Sequence, residues 1–363
     1  MMRALAAGLV RSGHSVDVLT TSLTTARGPR SQRTRIQEHE GSTIRYAATP
    51  VSYRWMGITP TLPVWLERMP RPDVVHVFGF RDPVGTTVAA WCRLRGVPYV
   101  FEALGMFQPK LRKVGLKRGL DATLFRHVPA GATVLVAASQ RERREYRDSG
   151  VADSRVVVRP NGFPPVSDVH APTIGSLRRR IGADPGTPVV LSVGRVAAGK
   201  GLELLVDSIA SLPGVHLAIV GPDDGHGTSR ELLARCARQH VAERVHLLGP
   251  VARAEIDSFY DEADVLALAS RHENFGMVAA EAAARRSAVL VTDRCGIADL
   301  LGDEAALVVP YSAVDVRDGL ARLVSDAPLR SRLGRAAAEV ARQWSWERVV
   351  GLQEDIYLRA LAA

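Results

Sequence analysis

Glu273 and Glu281 bracket the chemistry of the stretch S-R-H-E-N-F-G-M-V-A-A-E-A-A-A-R-R-S, residues 270–287, with seven residues between them. An ionised carboxylate only accepts hydrogen bonds and can take several at once, so each glutamate suits a ligand carrying vicinal hydroxyls, as a sugar does. Residues 263–269 (A-D-V-L-A-L-A) read as a short apolar strand, Asn274-Phe275-Gly276 as a tight turn, and residues 277–286 as an Ala-rich helix. Strand, glycine turn and helix together aim backbone N–H groups and a positive helix end at an anion. Glu273 sits on the turn, at the C-terminal edge of the strand. Glu281 sits inside the helix, where Arg285 four residues on offers a plain surface pairing worth a few tenths of a kcal/mol. The alanines at 279, 280, 282, 283 and 284 carry no bulk, so the helix can approach a backbone or a ligand closely, which favours a ligand-facing Glu281.

A second stretch supplies cations. V-L-S-V-G-R-V-A-A-G-K-G, residues 190–201, puts Gly194 and Arg195 just past a strand, at the edge where open α/β sheets bind ligands. Lys200 follows between two glycines and is the only lysine after residue 117. Two such cations would neutralise a diphosphate; the plainer reading is a pair of solvated side chains. The pattern is not the G-x4-G-K-[ST] phosphate loop, whose hydroxyl residue is missing here. Gly221-Pro222-Asp223 and Leu248-Gly249-Pro250 read as further loops on that edge, and Gly296 opens a short helix whose amides could also reach phosphates.

These residues need a scaffold of alternating strands and helices. In the first half, strands read at 16–19, 43–47, 74–78, 99–101, 133–137 and 155–158, with helices at 1–12, 83–95 and 140–149. In the second half, strands read at 189–193, 215–220, 245–248, 264–268, 288–292 and 306–309, with helices between them. Such alternation predicts doubly wound, mostly parallel sheets, hence an α/β protein of two Rossmann-like domains. Residues 159–177, with four prolines and two glycines, read as the linker. Trp344, Trp346, Val349, Val350, Ile356 and Leu361 predict a packed terminal helix.

The Glu273-x7-Glu281 stretch resembles the signature of the retaining glycosyltransferases of family 4, and the resemblance spans nearly the whole chain. It implies the GT-B fold: residues 1–165 as an acceptor-side domain, 166–345 as a nucleotide-sugar-binding domain facing it across a cleft, and 346–363 as a helix packing back on the first. It implies transfer of a sugar, with retention, from a nucleotide-diphosphate-sugar donor to an acceptor hydroxyl on a lipid-linked, polysaccharide or small glycoside acceptor, as in cell-envelope or polysaccharide biosynthesis. Arg195 and Lys200 would stabilise the leaving diphosphate, and Glu273 would hold donor-sugar hydroxyls. Gly194, Asn274, Phe275, Gly276 and Met277 would line the donor site, the last three through backbone N–H groups, and Glu281 would hold the ribose. No cofactor and no metal is implied. On the acceptor side, V-P-Y-V-F-E-A-L-G-M-F-Q-P-K-L-R-K-V-G-L-K-R resembles the family's region around a His-Gly pair, with Gly105, Lys110 and Lys113 as candidates. Leu104 stands where the family has that His, so the role of the His does not carry over. Family members begin with a strand and a Gly-rich loop, whereas this chain opens on the following helix. The expectation is therefore a first domain lacking its first strand, and an inert nucleotide-sugar-binding protein is the alternative to an enzyme.

Composition narrows the partners. The net charge of +9 is uneven: residues 1–165 hold 25 basic and 12 acidic side chains, the remainder 22 and 26. A basic first half suits an anionic acceptor or peripheral contact with an anionic membrane, although 43 of the 47 basic residues are arginine, which also fits a genome-wide bias. It lacks an aromatic stacking platform, so nucleic acid is not expected. Neither half carries the G-x-G-x-x-G of a nicotinamide enzyme. Three scattered cysteines suggest neither a disulfide framework nor a metal site, and a reduced, cytoplasmic setting is the default.

Overall fold

Strands buried on both faces are nearly continuous apolar runs, and V-V-L-S-V, H-L-A-I-V, V-L-A-L and V-L-V-T of the second half fit that pattern. A computed structural model describes residues 1–23, 33–53, 56–109, 115, 119–163 and 175–363. They form two units: Met1–Gly162 together with Trp346–Ala363, and Phe163–Ser345.

In the first unit the strands are β1 Asp17–Thr21, β2 Arg35–His39, β3 Ser42–Ala47, β4 Val51–Tyr53, β5 Met56–Ile58, β6 Val75–Phe78, β7 Tyr99–Glu102, β8 Val134–Ala137 and β9 Val156–Val158. The helices are α1 Met2–Arg11, α2 Leu62–Arg68, α3 Pro83–Arg95, α4 His127–Gly131 and α5 Gln140–Asp148. Strands β6-β7-β8-β9 make a parallel sheet, and β1-β3-β2 a separate one in which β2 runs antiparallel to β3. β4 and β5 pair as a hairpin. One face of the four-stranded sheet packs Val77, Tyr99, Phe101 and Leu135 against α3, α4 and α5. The other packs Val100, Val134 and Val136 against Ile356 and Ala360 of the terminal helix, Trp346–Leu361. That helix also meets α1, where Val350 packs on Leu5 and Leu9. Its last apolar residue, Leu361, is exposed rather than packed.

The second unit holds β10 Val189–Val193, β11 His216–Val220, β12 Val245–Gly249, β13 Val265–Leu268, β14 Val289–Thr292 and β15 Leu307–Val309. Before, between and after them come α6 Ser176–Ile181, α7 Leu202–Ala210, α8 Thr228–Arg238, α9 Arg253–Glu262, α10 Met277–Ala284, α11 Ala298–Ala305, α12 Ala313–Ser325 and α13 Ala327–Ala341; the terminal helix is α14. The strand order is β12-β11-β10-β13-β14-β15, parallel throughout. The winding reverses between β10 and β13, and a crevice opens at the carboxyl ends of strands at such a switch point. Helix α7 shows how the sheet is covered. Leu202, Leu205, Val206 and Ile209 recur on one helical face and are all buried. Each such side chain contributes about 1.5–3 kcal/mol relative to exposure. No described helix is long and apolar enough to cross a membrane.

Candidate active site

The loops that leave β10 and β13 carry the predicted cations and the first predicted glutamate, and glycine lets them touch. Gly201 has φ +67°, and a Cβ there would lie 1.9 Å from the carbonyl oxygen of Ala269, just past β13. Arg271 N–H donates to the Gly199 carbonyl at 2.8 Å. Pinned in this way, the Lys200 ammonium meets Glu273 Oε2 at 2.6 Å, with both side chains about a quarter exposed. Gly194 ends β10, its N–H donating to Val220 O at 2.8 Å. Arg195 beside it is exposed and has no hydrogen-bonding or ion-pair partner among the described residues.

Glu273 is fixed through its backbone. It forms an isolated parallel bridge with Cys295, and its carbonyl accepts from Gly296 N–H at 2.9 Å. Ile297 N–H donates to Phe275 O at 2.7 Å. The expected loan of amides by the turn at Gly296 is thereby corrected: both N–H groups are spent on holding the Glu273–Phe275 turn. Phe275 is buried, its ring edge-on to Trp344 at 5.9 Å. Gly276, at φ +111°, caps α10, and a Cβ there would press on Ile297 and Leu268 at 2.9 and 3.0 Å. Asn274 lies on the same turn. The amides of Phe275, Gly276 and Met277 donate to no backbone carbonyl among the described residues, as is usual where a helix begins.

Glu281 has different partners from those the sequence offers. Arg253 Nη1 reaches Glu281 Oε1 at 2.8 Å, and the Tyr260 hydroxyl donates to Oε2 at 3.0 Å. Arg285 turns away, donating to Asp257 O at 3.0 Å and pairing with Asp261 at 3.2 Å. Burial, reinforced by the Glu281 carboxylate, raises the Tyr260 phenol far above its ordinary value, so it remains a donor. Ala279, Ala280, Ala282 and Ala283 are fully buried, so these alanines serve close packing of α10 inside the unit rather than room for a ligand.

In the first unit, Leu104 and Gly105 both have positive φ, +53° and +74°. Buried Glu142 holds this loop, accepting from Gly105 N–H at 2.7 Å and Ala138 N–H at 2.8 Å. Arg81 braces it from the other side, forking onto Asp121 at 2.6 Å and donating to Phe107 O at 2.7 Å. Lys110 and Lys113 lie outside the described residues. No group of three metal-ligating side chains occurs among the described residues.

The two halves match two family models: "Glycosyl transferase 4-like domain" over residues 1–162 and "Glycosyl transferases group 1" over residues 174–340. Each half of the chain is thus similar to a glycosyl transferase domain, the second half to the group 1 domain. Among curated relatives, the D-inositol 3-phosphate glycosyltransferase of Xylanimonas cellulosilytica is 34% identical over 245 residues, 64% of this chain and 58% of the relative. That of Corynebacterium aurimucosum is 34% identical over 247 residues, with the same shares. The chain thus spans less than two thirds of these relatives. Among solved structures, sucrose-phosphate synthase from Thermosynechococcus elongatus gives a TM-score of 0.77 at 21% identity, covering 99% of this chain and 92% of that one. HepE of Anabaena, solved in complex with UDP and glucose, gives 0.70 at 19%, covering 82% and 81%. These likenesses show the fold, GT-B, with two Rossmann-like units.

The second unit therefore gathers Gly194, Arg195, Lys200, Glu273 and the amides of 275–277 on the carboxyl edge of β10 and β13. Arg253 and Tyr260 are the residues that sequence reading missed. Seven apart on one helix, they share a face two turns long, but that spacing does not say which helix the face meets.

Proposed function

We propose that this protein is a glycosyl transferase that moves a sugar from a nucleotide-diphosphate-sugar donor to an acceptor hydroxyl, with retention and without a metal ion. The observation that carries the reading is the meeting of Lys200 with Glu273 beside exposed Arg195 and the amides of α10. Charge on a departing diphosphate would be met by two cations and a helix N-terminus, donors fixed before the reaction begins. Glu273, at 2.6 Å from Lys200, would exchange that ammonium for donor-sugar hydroxyls once the diphosphate engages Lys200. Gly194 and Asn274 would line the same pocket, and Glu281 would accept from the ribose diol. HepE was solved with UDP, which makes UDP-sugars the first donors to try.

The first unit would serve the acceptor, with the Gly105 loop, Lys110 and Lys113 as its candidate contacts. The curated relatives are named for D-inositol 3-phosphate, and a small phosphorylated polyol suits the basic first half as well as a lipid-linked or growing-glycan acceptor does. Peripheral contact with an anionic membrane on the cytoplasmic side follows from the same charge.

Calorimetric titration with nucleotide sugars and nucleoside diphosphates, with and without magnesium, tests the reading. Metal-independent binding of one nucleotide class, lost in Lys200→Ala, is expected, followed by transfer on addition of acceptor. Donor binding with neither hydrolysis nor transfer would select an inert binder, and binding that needs magnesium would overturn the metal-free route.

A further inference from the structure

The Glu281 carboxylate is held from a neighbouring helix, and the number of its partners matters. A carboxylate offers about four lone-pair sites. Arg253 occupies one on Oε1 and the Tyr260 hydroxyl one on Oε2. One site on each oxygen remains, which matches the two O–H donors of a vicinal diol. Tyr260 is buried, whereas the Arg253 side chain is half exposed. The clamp therefore has a closed side and an open one.

The open side faces the ligand edge of the sheet. Arg253 is the first residue of α9 and follows the end of β12 at Gly249 by four residues. Gly249 O accepts from Gly221 N–H at 2.9 Å, just past β11, and Gly194 N–H donates to Val220 O at the end of β11, so the exits of β10, β11 and β12 line one edge. Glu281, in the second turn of α10, is drawn toward that edge by Arg253. Asp257, one turn along α9, meets the other guanidinium nitrogen at 3.4 Å and steadies it. An arginine beside the glutamate also offsets its charge, so a carboxylate can stand close to a diphosphate-bearing ligand without repelling it.

We propose that Arg253, with Tyr260, is a positioning residue that orients Glu281 for the ribose 2′- and 3′-hydroxyls, so that α9 sets the discrimination between ribose and deoxyribose nucleotides. The inference rests on the nucleotide-sugar reading above and adds to it a residue and a selectivity.

The test compares uridine, guanosine, adenosine and cytidine diphosphates with their 2′-deoxy counterparts by calorimetry. The proteins are wild type, Arg253→Ala, Arg253→Lys and Tyr260→Phe, each checked by thermal melting. A charge-assisted hydrogen bond lost with the 2′-hydroxyl predicts wild-type discrimination of about tenfold or more. In Arg253→Ala the ratio should fall to about twofold or less, chiefly by weaker binding of the ribose form, and Arg253→Lys should recover part of it. Tyr260→Phe removes only a hydroxyl, keeps the packing, and should also lower the ratio. A full wild-type ratio in both Arg253→Ala and Tyr260→Phe overturns the proposal. So does tight wild-type binding with no ribose preference, which leaves the nucleotide-sugar reading standing. Failure of the wild type to bind any of the eight nucleotides overturns both.

Discussion

Lys200 Nζ and Glu273 Oε2 lie 2.6 Å apart, so the cation and the carboxylate assigned to opposite ends of the donor sugar bond neutralise one another in the free protein. A pair about a quarter exposed contributes little to stability, on the order of 1 kcal/mol or less. On the proposed reading its worth is functional, because each member would be preset where the other releases it. Glu273→Gln and Lys200→Ala should each lower transfer by about two orders of magnitude or more, with the melting temperature nearly unchanged. They should separate in binding: Lys200→Ala weakens nucleoside diphosphate binding, while Glu273→Gln frees the ammonium and tightens it a few-fold. Calorimetry beside a transfer assay checks this, and near-normal turnover in either variant would sink the assignment.

Gly201 makes that contact possible. At φ +67°, with Ala269 O 1.9 Å from where a Cβ would stand, it cannot become alanine without moving the loop. Gly201→Ala should cost about 2–4 kcal/mol, from left-handed strain plus displaced backbone. It should also weaken nucleotide binding, because Lys200 moves with the loop. Urea unfolding and titration of the same preparation would check both. An unchanged midpoint would mean that β10 and β13 are not coupled through this glycine.

The second unit was legible because its strands are buried on both faces and so read as nearly continuous apolar runs, such as Val189–Val193 and Val265–Leu268. The first unit was less so. Arg35–His39 is a strand whose first four residues are exposed, and R-I-Q-E-H carries no apolar run to mark it. Its turn did carry a signal, since Glu40 and Gly41 both adopt positive φ, as a two-residue hairpin loop requires. The order of Glu273, Gly276 and Glu281 along the chain located the candidate site. It could not reveal Arg253, because that contact depends on how α9 crosses to α10, a long-range fact that spacing does not encode.

Acid should unfold the first unit from within. His76, on β6, bonds the Tyr357 hydroxyl at 3.0 Å and lies 3.5 Å from Glu102, which accepts from Arg159 at 2.5 Å. Burial pushes His76 below its ordinary 6.5, outweighing the attraction of Glu102. Burial alone would raise Glu102, but Arg159 and His76 together hold it below the usual carboxylate range. Below pH 6.5 the unfolded chain therefore takes up the histidine proton before the folded one does, and stability falls as pH drops through that window. The slope approaches about 1.4 kcal/mol per pH unit for one proton. Glu102 adds its loss lower, as pH falls from the ordinary carboxylate range through its lowered folded value. Urea midpoints at pH 8, 6.5 and 5 should show the fall, and His76→Asn should flatten the upper part. A wild-type midpoint constant from pH 8 to 5 would contradict this account.

Glu142 ties the Gly105 loop to the sheet, and its removal should be felt in both stability and acceptor use. The carboxylate is fully buried and takes two backbone N–H groups, from Gly105 at 2.7 Å and Ala138 at 2.8 Å. Tyr146 supports the same loop, its hydroxyl accepting from Ala103 N–H at 3.1 Å. Glu142→Ala strands two buried donors at about 1–3 kcal/mol each, so a loss of about 2–6 kcal/mol is expected. Glu142→Gln keeps one acceptor oxygen and should lose about half as much. If the loop faces the acceptor, Glu142→Gln should raise the acceptor KM while leaving nucleoside diphosphate affinity unchanged, since the donor loops belong to the other unit. Equal damage to donor binding and acceptor KM would instead make Glu142 a general support of the fold.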